Sequence, residues 1–401
     1  MTETRELPGL ATVGACSIAL GMSTIIMLPY TAPYGIMMLS IGGACIAERI
    51  SRMSKFDVLF RNLKLGINQA YPILKRREQK DGYTLYEFTL PAGLTVDDFE
   101  RKRAAIEQHL GQDVLIEYGY KNLLFKVYDA PDKTIIEYEP VRLRGDLPLL
   151  LGYDRAGKVV SVDLGHGEPH LYVSGETGSG KSTALRAMLV NLILHNDVEI
   201  YLADLKNGVE FNMFAGCEKI KALARNEEET EAMLRAVTSE VDRRYKLLAD
   251  AGVEDITQYN KRKGRMKRRI VVVDEFAVLM YEKITTRLVE GLAAKARACG
   301  VHLILATQRP DANVINGRIK ANISNVLGMK TLDRVNSQIV IGHGGLEELR
   351  GAGHAIFRRG ADEVYLQGPY LSTARAKELI RPYTVKAIPE KVSPFVCLEG
   401  R

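Results

Sequence analysis

The stretch Leu171–Thr183, LYVSGETGSGKST, decides the fold. Its apolar start leads into Gly175-Glu176-Thr177-Gly178-Ser179-Gly180-Lys181-Ser182, which satisfies the pattern G-x-x-x-x-G-K-[ST] at every position. Glycines let the backbone curl around a phosphate, and a helix predicted to begin at Ser182 points its positive end at the anion. Residues 175–183 are therefore predicted to bind ATP. Lys181 is expected to contact the β- and γ-phosphates, and Ser182 to contact Mg²⁺.

A second strand, ending in acidic residues, provides an independent check. Arg269 to Glu275 reads RIVVVDE, an apolar, β-branched run typical of a central parallel strand buried on both faces. Asp274 is predicted to hold Mg²⁺ through water, and Glu275 to polarise the attacking water. The alternative is that two acids merely end a strand, but their place downstream of a complete phosphate loop favours catalysis.

Strands and helices alternate through the C-terminal region. Strands are predicted at 171–174, 199–204, 270–274 and 301–307, with helices at 182–195, 227–249 and 284–299 between them. Such alternation produces a parallel sheet with right-handed crossovers, so the predicted class is α/β. The nucleotide is expected at the C-terminal edge of the strands. This domain is predicted to cover residues 151–385, with a tail at 386–401.

Composition sets broad limits. The chain has 401 residues, enough for two or three domains, and a net charge of +6, which permits a polyanionic partner without requiring one. Its five cysteines are far apart and form no C-x-x-C pair, so neither a zinc site nor a disulfide framework is predicted. Seven cations in 261–269 form either a solvated loop or a loop that contacts phosphates.

The N-terminal segment is predicted to be a membrane anchor. No charged residue lies between Pro8 and Ala47, and two prolines divide this segment into apolar halves at 9–28 and 32–47. Each half is about long enough to cross a hydrocarbon core of ~30 Å. Three basic residues in 48–55 place the following flank in the cytoplasm. Residues 1–55 are therefore predicted to form a two-helix transmembrane hairpin; a buried hairpin and a signal peptide are the alternatives.

Residues 56–150 are predicted to form a small α+β domain without a catalytic constellation. Tyr83 to Leu90 alternates like a strand, and strands are also predicted at 114–118 and 123–127. Between them, Thr95 and Asp98 form a capping box before a helix that Gly111 ends. A spacer or assembly domain is one interpretation, and a ring-forming collar that touches DNA is the other.

The block after the acidic strand resembles the motor domain of the FtsK/SpoIIIE family of DNA translocases. The matching segments are DEFA at 274–277, KARACGVHLILATQRP at 295–310 and IKANI at 319–323, and the match extends from the phosphate loop to Gln367-Gly368. The resemblance implies a RecA-like P-loop ATPase domain. It also implies a ring of six subunits on DNA, with ATP and Mg²⁺ at each interface driving the DNA through the channel.

The resemblance also implies roles for single residues. Gln308 is similar to the polar sensor that reads the γ-phosphate. Arg297, in the helix before the strand at 301–307, is similar to the arginine offered to the ATP of the neighbouring subunit; an ordinary surface arginine is the alternative. Asp204-Leu205-Lys206 matches an aspartate-x-lysine element near the active site. The pore residues that touch the DNA backbone are matched by Arg309, Lys320 and Arg334.

Some features differ from the family. Ser324-Asn325-Val326 replaces the usual Pro-Thr-Arg, and Ser337-Gln338 replaces Ser-Arg. The chain has two predicted membrane segments, whereas family members have four. About thirty residues follow Tyr370, where chromosomal members have a winged-helix module. Both features are expected for the coupling ATPases of conjugative plasmids and integrative elements, of the TcpA type.

These observations predict a membrane-anchored hexameric ATPase of the bacterial inner membrane that pumps DNA during conjugative transfer. A relaxase and conjugation channel proteins are expected as further partners. Chromosome or plasmid segregation is an alternative, as is protein secretion, for which several tandem ATPase modules would be expected. Intact Glu275 and Gln308 argue against a scaffold that binds nucleotide without hydrolysing it.

Overall fold

The structure, a computed structural model, describes residues 55–119, 122–129, 135–206, 208–311 and 317–385. The chain divides into two compact units, residues 1–131 and 132–401. The predicted membrane hairpin, at 9–28 and 32–47, and the predicted tail at 386–401 lie outside the described residues. In the part of the chain that is described, no helix combines the length and apolar character needed to cross a membrane.

The first unit is an antiparallel sheet with short helices. Its elements are α1 (Lys55–Asn62), β1 (Leu74–Lys80), β2 (Tyr83–Thr89), α2 (Val96–Glu100), α3 (Arg103–Leu110), β3 (Val114–Gly119) and β4 (Asn122–Tyr128). The strands lie in the order β1-β2-β4-β3. Buried residues alternate along β2, so one face of the sheet carries the core.

Aromatic side chains fill this core. Phe56 and Phe60 of α1 and Phe99 of α2 pack against Phe88 and Phe125 of the sheet, with ring centroids 5.0 to 6.2 Å apart in edge-on pairs. The predicted capping box is present at the start of α2. The single helix predicted after it is divided into α2 and α3, and the second ends, as predicted, at a left-handed Gly111.

The second unit is built on a ten-stranded, mostly parallel sheet. Its strands are β5 (Pro148–Asp154), β6 (Val159–Asp163), β7 (Leu171–Ser174), β8 (Val198–Asp204), β9 (Ile220–Ala224), β10 (Arg268–Asp274), β11 (Val301–Thr307), β12 (Asn325–Met329), β13 (His354–Arg359) and β14 (Asp362–Gln367). They lie in the order β6-β5-β14-β13-β12-β7-β11-β10-β8-β9. The six strands from β12 to β9 are parallel, and the other four extend the sheet in antiparallel fashion.

Helices cover both faces of this sheet. They are α4 (Lys181–His195), α5 (Glu227–Asp250), α6 (Ile256–Arg262), α7 (Lys283–Lys295), α8 (Gly317–Asn322), α9 (Arg334–Ile341) and α10 (Thr373–Ile380). In β10, Ile270 and Val272 belong to the core that includes α4, whereas Val271 and Val273 belong to the core that includes α5 and α7. This double burial explains the continuous apolar run and confirms the α/β prediction.

The large unit begins earlier than the predicted boundary at residue 150. The boundary between the two compact units falls between residues 131 and 132. In addition, β5 pairs with both β6 and β14 of the large sheet. Farther upstream, the N–H of Tyr138 donates to the carbonyl of Tyr370 at 2.8 Å. Only these long-range pairings assign the segment to the second unit, because its local pattern suits either one.

Candidate functional site

Parallel pairing brings the predicted motifs to one edge of the sheet. β8 lies beside β10 with Asp204 opposite Asp274, and β11 lies beside β7 with Thr307 opposite Ser174. Because parallel strands end at the same edge, the phosphate loop, the acidic pair and Gln308 meet there. The structure thus groups residues that are up to 133 positions apart in the chain.

The phosphate loop turns sharply at glycines. Gly178 and Gly180 have φ values of 83° and 102°, which favour glycine. A Cβ on Gly180 would lie 2.5 Å from the backbone nitrogen of Gly353. α4 begins directly afterwards at Lys181, and the first N–H groups of a helix have no partner within it. Loop and helix together offer a set of donors that suits a phosphate.

The turn Gly351-Ala352-Gly353 braces the phosphate loop from outside. The N–H of Gly353 donates to the carbonyl of Ser179 at 2.7 Å, and the N–H of Ala352 donates to that of Gly178 at 3.3 Å. All three residues of the turn have positive φ. This turn was not predicted from the sequence, where the Gly-Ala-Gly triplet was the available signal.

Lys181 and Asp274 form a buried ion pair through Nζ and Oδ1. Their exposed fractions are 2% and 0%. The other oxygen, Oδ2, is buried without a hydrogen-bond partner among the described residues and lies 3.9 Å from Nζ of Lys206. A buried carboxylate oxygen without a hydrogen-bond partner, beside a phosphate loop, is a suitable ligand for Mg²⁺ or acceptor for one of its water ligands.

Glu275 is held firmly just beyond β10. Its φ of 62° is unusual for a residue with a side chain. Its carboxylate accepts a hydrogen bond from the Thr307 hydroxyl at 2.6 Å, and from the N–H of Gln308 at 3.1 and 3.2 Å. Nζ of Lys206 lies 3.5 Å away. Backbone strain of this kind persists only where surrounding contacts fix the residue, as they do at Glu275.

A carboxylate that the sequence analysis did not identify lies beside Ser182. The Ser182 hydroxyl donates to Glu210 at 2.8 Å, and Arg186 lies 3.9 Å from the same side chain. Asp204 orders the loop that carries Glu210, because its carboxylate accepts backbone N–H bonds from Lys206, Glu210 and Phe211. The signal in the sequence was an acid shortly after a strand that ends at the same edge.

The structure separates the other two predicted catalytic residues. Gln308 reaches over the phosphate loop, where the Thr177 hydroxyl donates to its Oε1 at 3.3 Å. Arg297 instead precedes β11, at the opposite edge of the sheet. The length of β11, about 20 Å, therefore lies between Arg297 and its own phosphate loop.

The helix predicted over 284–299 is shorter than expected, and Arg297 lies outside it. α7 ends at Lys295 because the chain must reverse into β11. The N–H of Val301 donates to the carbonyl of Ala296, and Gly300 has a φ of 69° in this turn. Arg297 is exposed there, on the surface of the unit.

The predicted DNA contacts are all exposed. Arg309 lines a second cleft with Leu332 and Asn336, and Arg334 begins α9 between these two residues. Lys320 is exposed on α8 and lines neither that cleft nor the cleft beside the phosphate loop. Arg334 does not line the second cleft itself but lies on α9 together with Asn336, which does.

Part of the basic run at 261–269 is neutralised by ion pairs. Lys267 pairs with Asp197 at 2.8 Å, Arg268 with Asp146 at 2.6 Å, and Arg269 with Glu199 at 2.7 Å. These cations lie at the start of β10, at the sheet edge opposite the phosphate loop. The pairs favour a structural role for this end of the run.

A known family matches the part of the chain that carries this site. Residues 134–312 match the model of the FtsK/SpoIIIE family. A DNA translocase FtsK of Pseudomonas syringae is 29% identical over 301 residues, which cover 65% of this chain and 37% of that protein. The chain thus spans little more than a third of the length of this relative.

Two solved structures have similar folds. The conjugation coupling protein TcpA of pCW3, solved with ATPγS, has a TM-score of 0.60 and 26% identity, covering 82% of this chain and 98% of that one. The cytoplasmic domain of the type VII secretion ATPase EccC of Thermomonospora curvata has a TM-score of 0.56 and 24% identity, covering 65% and 33%. The second likeness concerns the fold alone.

The family match contains the phosphate loop, the acidic strand and Gln308, and the site geometry joins these segments at one sheet edge. The resemblance noted in the sequence is therefore confirmed: residues 134–312 match the model of the FtsK/SpoIIIE family.

Proposed function

We propose that this chain is a Mg²⁺-dependent ATPase with a RecA-like P-loop domain that moves DNA. The observation that carries the proposal is the grouping of Lys181, Asp274, Glu275 and Gln308 around one phosphate loop. Each of these side chains is held by a named contact. A phosphate site with an oriented carboxylate beside it supports hydrolysis rather than binding alone.

Lys181 is placed to exchange partners when ATP binds. Its ammonium contacts Asp274 on the floor of the site, and a triphosphate on the loop would supply a more highly charged partner. Asp274, through water, and Ser182 are the residues that would hold Mg²⁺, and the ion would supply positive charge beside the phosphates. Glu210 lies close enough to Ser182 to orient that hydroxyl.

Glu275 is the group that activates water. Two donors, the Thr307 hydroxyl and the Gln308 N–H, fix its carboxylate at the end of β10. The Gln308 side chain bridges to Thr177 of the loop, which places it to sense the γ-phosphate. A carboxylate held in this way accepts a proton from water in a defined direction.

Arg297 acts on a neighbouring subunit. It is exposed at the edge of the sheet opposite its own phosphate loop, so its guanidinium is available to the ATP of another copy. Such an arginine stabilises charge that develops on the γ-phosphate. The family resemblance supports a ring of six copies for this arrangement.

The polymer that the motor moves is DNA, with Arg309, Lys320 and Arg334 as phosphate contacts. Contacts of this type position a duplex without reading its sequence. The likeness to TcpA over 98% of that chain supports conjugative transfer, with a relaxase and channel proteins as partners. The apolar segments at 9–28 and 32–47 support an anchor in the inner membrane.

Two alternative functions have some support from similar proteins. Segregation of a chromosome or plasmid is favoured by the likeness to FtsK proteins. Export of a polypeptide is suggested by EccC, but at 24% identity that likeness reaches no further than the fold. The polymer that stimulates hydrolysis separates polypeptide export from the two functions that move DNA.

The test is steady-state ATP hydrolysis by the full-length chain, without nucleic acid, with duplex DNA and with single strands. We expect DNA to stimulate hydrolysis, and Glu275→Gln to lower the rate at least ~100-fold while nucleotide still binds. Glu282→Gln, which changes an exposed acid nearby, is the matched control and should behave like the unchanged chain.

Contacts with DNA phosphates predict a further result. Stimulation should weaken steeply as salt rises, because counterions compete for the backbone, and Arg309→Ala with Arg334→Ala should reduce that salt dependence. If neither form of DNA stimulates an assembled chain that hydrolyses ATP, the DNA motor is ruled out and polypeptide export becomes the better proposal.

A further inference from the structure

A cleft of about 360 Å³ extends from the phosphate loop to two exposed apolar side chains. Gly180, Lys181 and Ser182 line its polar end, and Ile135 and Tyr370 line its apolar end. The volume lies at the lower end of the range typical of ligand pockets. Hydrolysis accounts for the polar end, whereas the apolar end has no part in the chemistry described above.

Ile135 and Tyr370 are exposed, and backbone hydrogen bonds join Tyr370 to the segment beside Ile135. The exposed fractions are 63% and 49%. The N–H of Tyr370 donates to the carbonyl of Ile136 at 2.7 Å, and the N–H of Tyr138 donates to the carbonyl of Tyr370 at 2.8 Å. These two backbone hydrogen bonds hold Tyr370 against the segment that carries Ile135, so both exposed side chains line the same cleft.

Hydrogen bonds also set the spacing between the two ends of the cleft. The N–H of Gly368 donates to the carbonyl of Gly353 at 2.8 Å, and Nε2 of Gln367 donates to that of Ala352 at 2.7 Å. Gly353 in turn donates to Ser179 of the phosphate loop. The apolar end is thus tied to the phosphate loop through the turn at 351–353.

We propose that Ile135 and Tyr370 form a base clamp, in which the purine ring of the nucleotide packs against both side chains. The proposal rests on the proposed ATPase function and deepens it. A nucleoside triphosphate has the same two-ended character as the cleft, with anionic phosphates at one end and a flat aromatic base at the other. Ring faces are alike in all purines, so the clamp binds adenine and guanine nucleotides with similar strength.

The test compares ligands with and without a base. Binding of AMP-PNP, GMP-PNP and inorganic tripolyphosphate, each with Mg²⁺, is measured by calorimetry on the full-length chain. Tyr370→Ala should weaken binding of both nucleotides about ten-fold, and Ile135→Ala about three-fold, because contact with the ring is lost. Tripolyphosphate should bind all variants within about two-fold, because it has no base.

Two controls separate the clamp from general damage. Tyr370→Phe keeps the ring and should bind nucleotides like the unchanged chain. Tyr118→Ala removes a tyrosine on β3 that is 60% exposed and lines neither cleft, so it should have no effect.

The outcomes distinguish this inference from the function on which it rests. Unchanged nucleotide binding in both alanine variants, or an equal loss for tripolyphosphate, overturns the clamp alone. Failure of the unchanged chain to bind any of the three probes overturns the proposed ATPase and the clamp with it.

Discussion

At the scale of single residues, Thr307 links catalysis to the predicted DNA contact. Its hydroxyl donates to Glu275 at 2.6 Å and accepts the backbone N–H of Arg309 at 3.1 Å. The side chain is fully buried at the end of β11. A shift of Arg309 on DNA would therefore reach the carboxylate proposed to activate water through a single side chain.

Thr307→Val tests this link. Valine has nearly the same shape but cannot donate, so Glu275 loses one of the donors that orient it. We expect kcat for ATP to fall about ten-fold with little change in KM, because the phosphate loop is untouched. Thr307→Ser keeps the hydroxyl and should retain most activity. A rise in KM equal to the loss of kcat would instead place Thr307 in phosphate binding.

At the scale of elements, the starts of β7 and β11 are joined by two buried histidines. His170 accepts the N–H of Leu303 at 2.9 Å and contacts the carbonyl of Ala293 at 3.0 Å. His302 contacts the carbonyl of Pro169 at 3.0 Å. Burial lowers the pKa of His170 to about 4 and that of His302 to about 3, although carbonyl contacts oppose the shift.

These shifts predict a loss of stability in mild acid. Each folded-state pKa lies below the ordinary value of 6.5, so the unfolded chain binds more protons below that pH. The free energy of unfolding should fall by on the order of 2 kcal/mol per histidine between pH 7 and pH 5. Denaturant unfolding measures it, with His302→Gln expected to show a smaller loss. Exposed His166→Gln is the control, and an unaltered pH slope in His302→Gln would refute the assignment.

The brace on the phosphate loop is also a property of elements. At Gly353, φ is 96°, and a Cβ would lie 2.8 Å from Nε2 of Gln367. Gly360 also has positive φ, 63°, but a Cβ there would meet nothing within 4 Å. At both positions a side chain would strain the backbone because φ is positive. Only at Gly353 would it also contact a residue of the brace.

Gly353→Ala should therefore weaken ATP binding about ten-fold, because the loop loses its support. Gly360→Ala should lower stability by roughly 1 kcal/mol through φ alone and leave ATP binding unchanged. Equilibrium binding of a fluorescent ATP analogue, together with thermal unfolding, measures both effects. Equal losses of binding in the two variants would show that the brace has no special role.

At the scale of the whole molecule, the role in trans proposed for Arg297 requires a second copy of the chain. Arg297 lies at the sheet edge opposite its own phosphate loop, whereas Glu275 lies at that loop. One intact site would therefore combine Glu275 from one subunit with Arg297 from its neighbour. This division allows two inactive variants to complement each other.

Mixing subunits tests that arrangement. Arg297→Ala and Glu275→Gln chains should each hydrolyse ATP at least ~100-fold more slowly than the unchanged chain. In equal mixture, roughly one interface in four unites an intact Glu275 with an intact Arg297, so about a quarter of the activity should return. Lys295→Ala, at an exposed cation near Arg297, should be active alone. Mixed rings that stay inactive would contradict a role in trans.

Much of the site was predictable because its residues lie in short, contiguous sequence motifs. The phosphate loop and the pair Asp274-Glu275 follow from local rules for glycine, helix starts and buried strands, and all were found where expected. Gln308 and Arg297 came from the family resemblance, and the helix that was to carry Arg297 ended early because Gly300 reverses the chain.

Other parts of the site were not predictable from local pattern. Glu210 on Ser182, Thr307 on Glu275 and the brace at 351–353 join residues that lie tens to more than a hundred positions apart. The sheet likewise gained strands that local pattern did not reveal, because β5, β6 and β14 acquire their partners through antiparallel pairing. Their apolar runs are compatible with either unit.

By itself, the amino-acid sequence determined the α/β class, the phosphate loop, the acidic pair and the family resemblance, because each depends on residues close together in the chain. Only the tertiary structure decided which side chains orient Ser182 and Glu275, where the large unit begins, and that Ile135 and Tyr370 share a cleft with Lys181. These outcomes depend on which strands become neighbours in the sheet. That choice is made by long-range burial and hydrogen bonding, which leave no local pattern in the sequence.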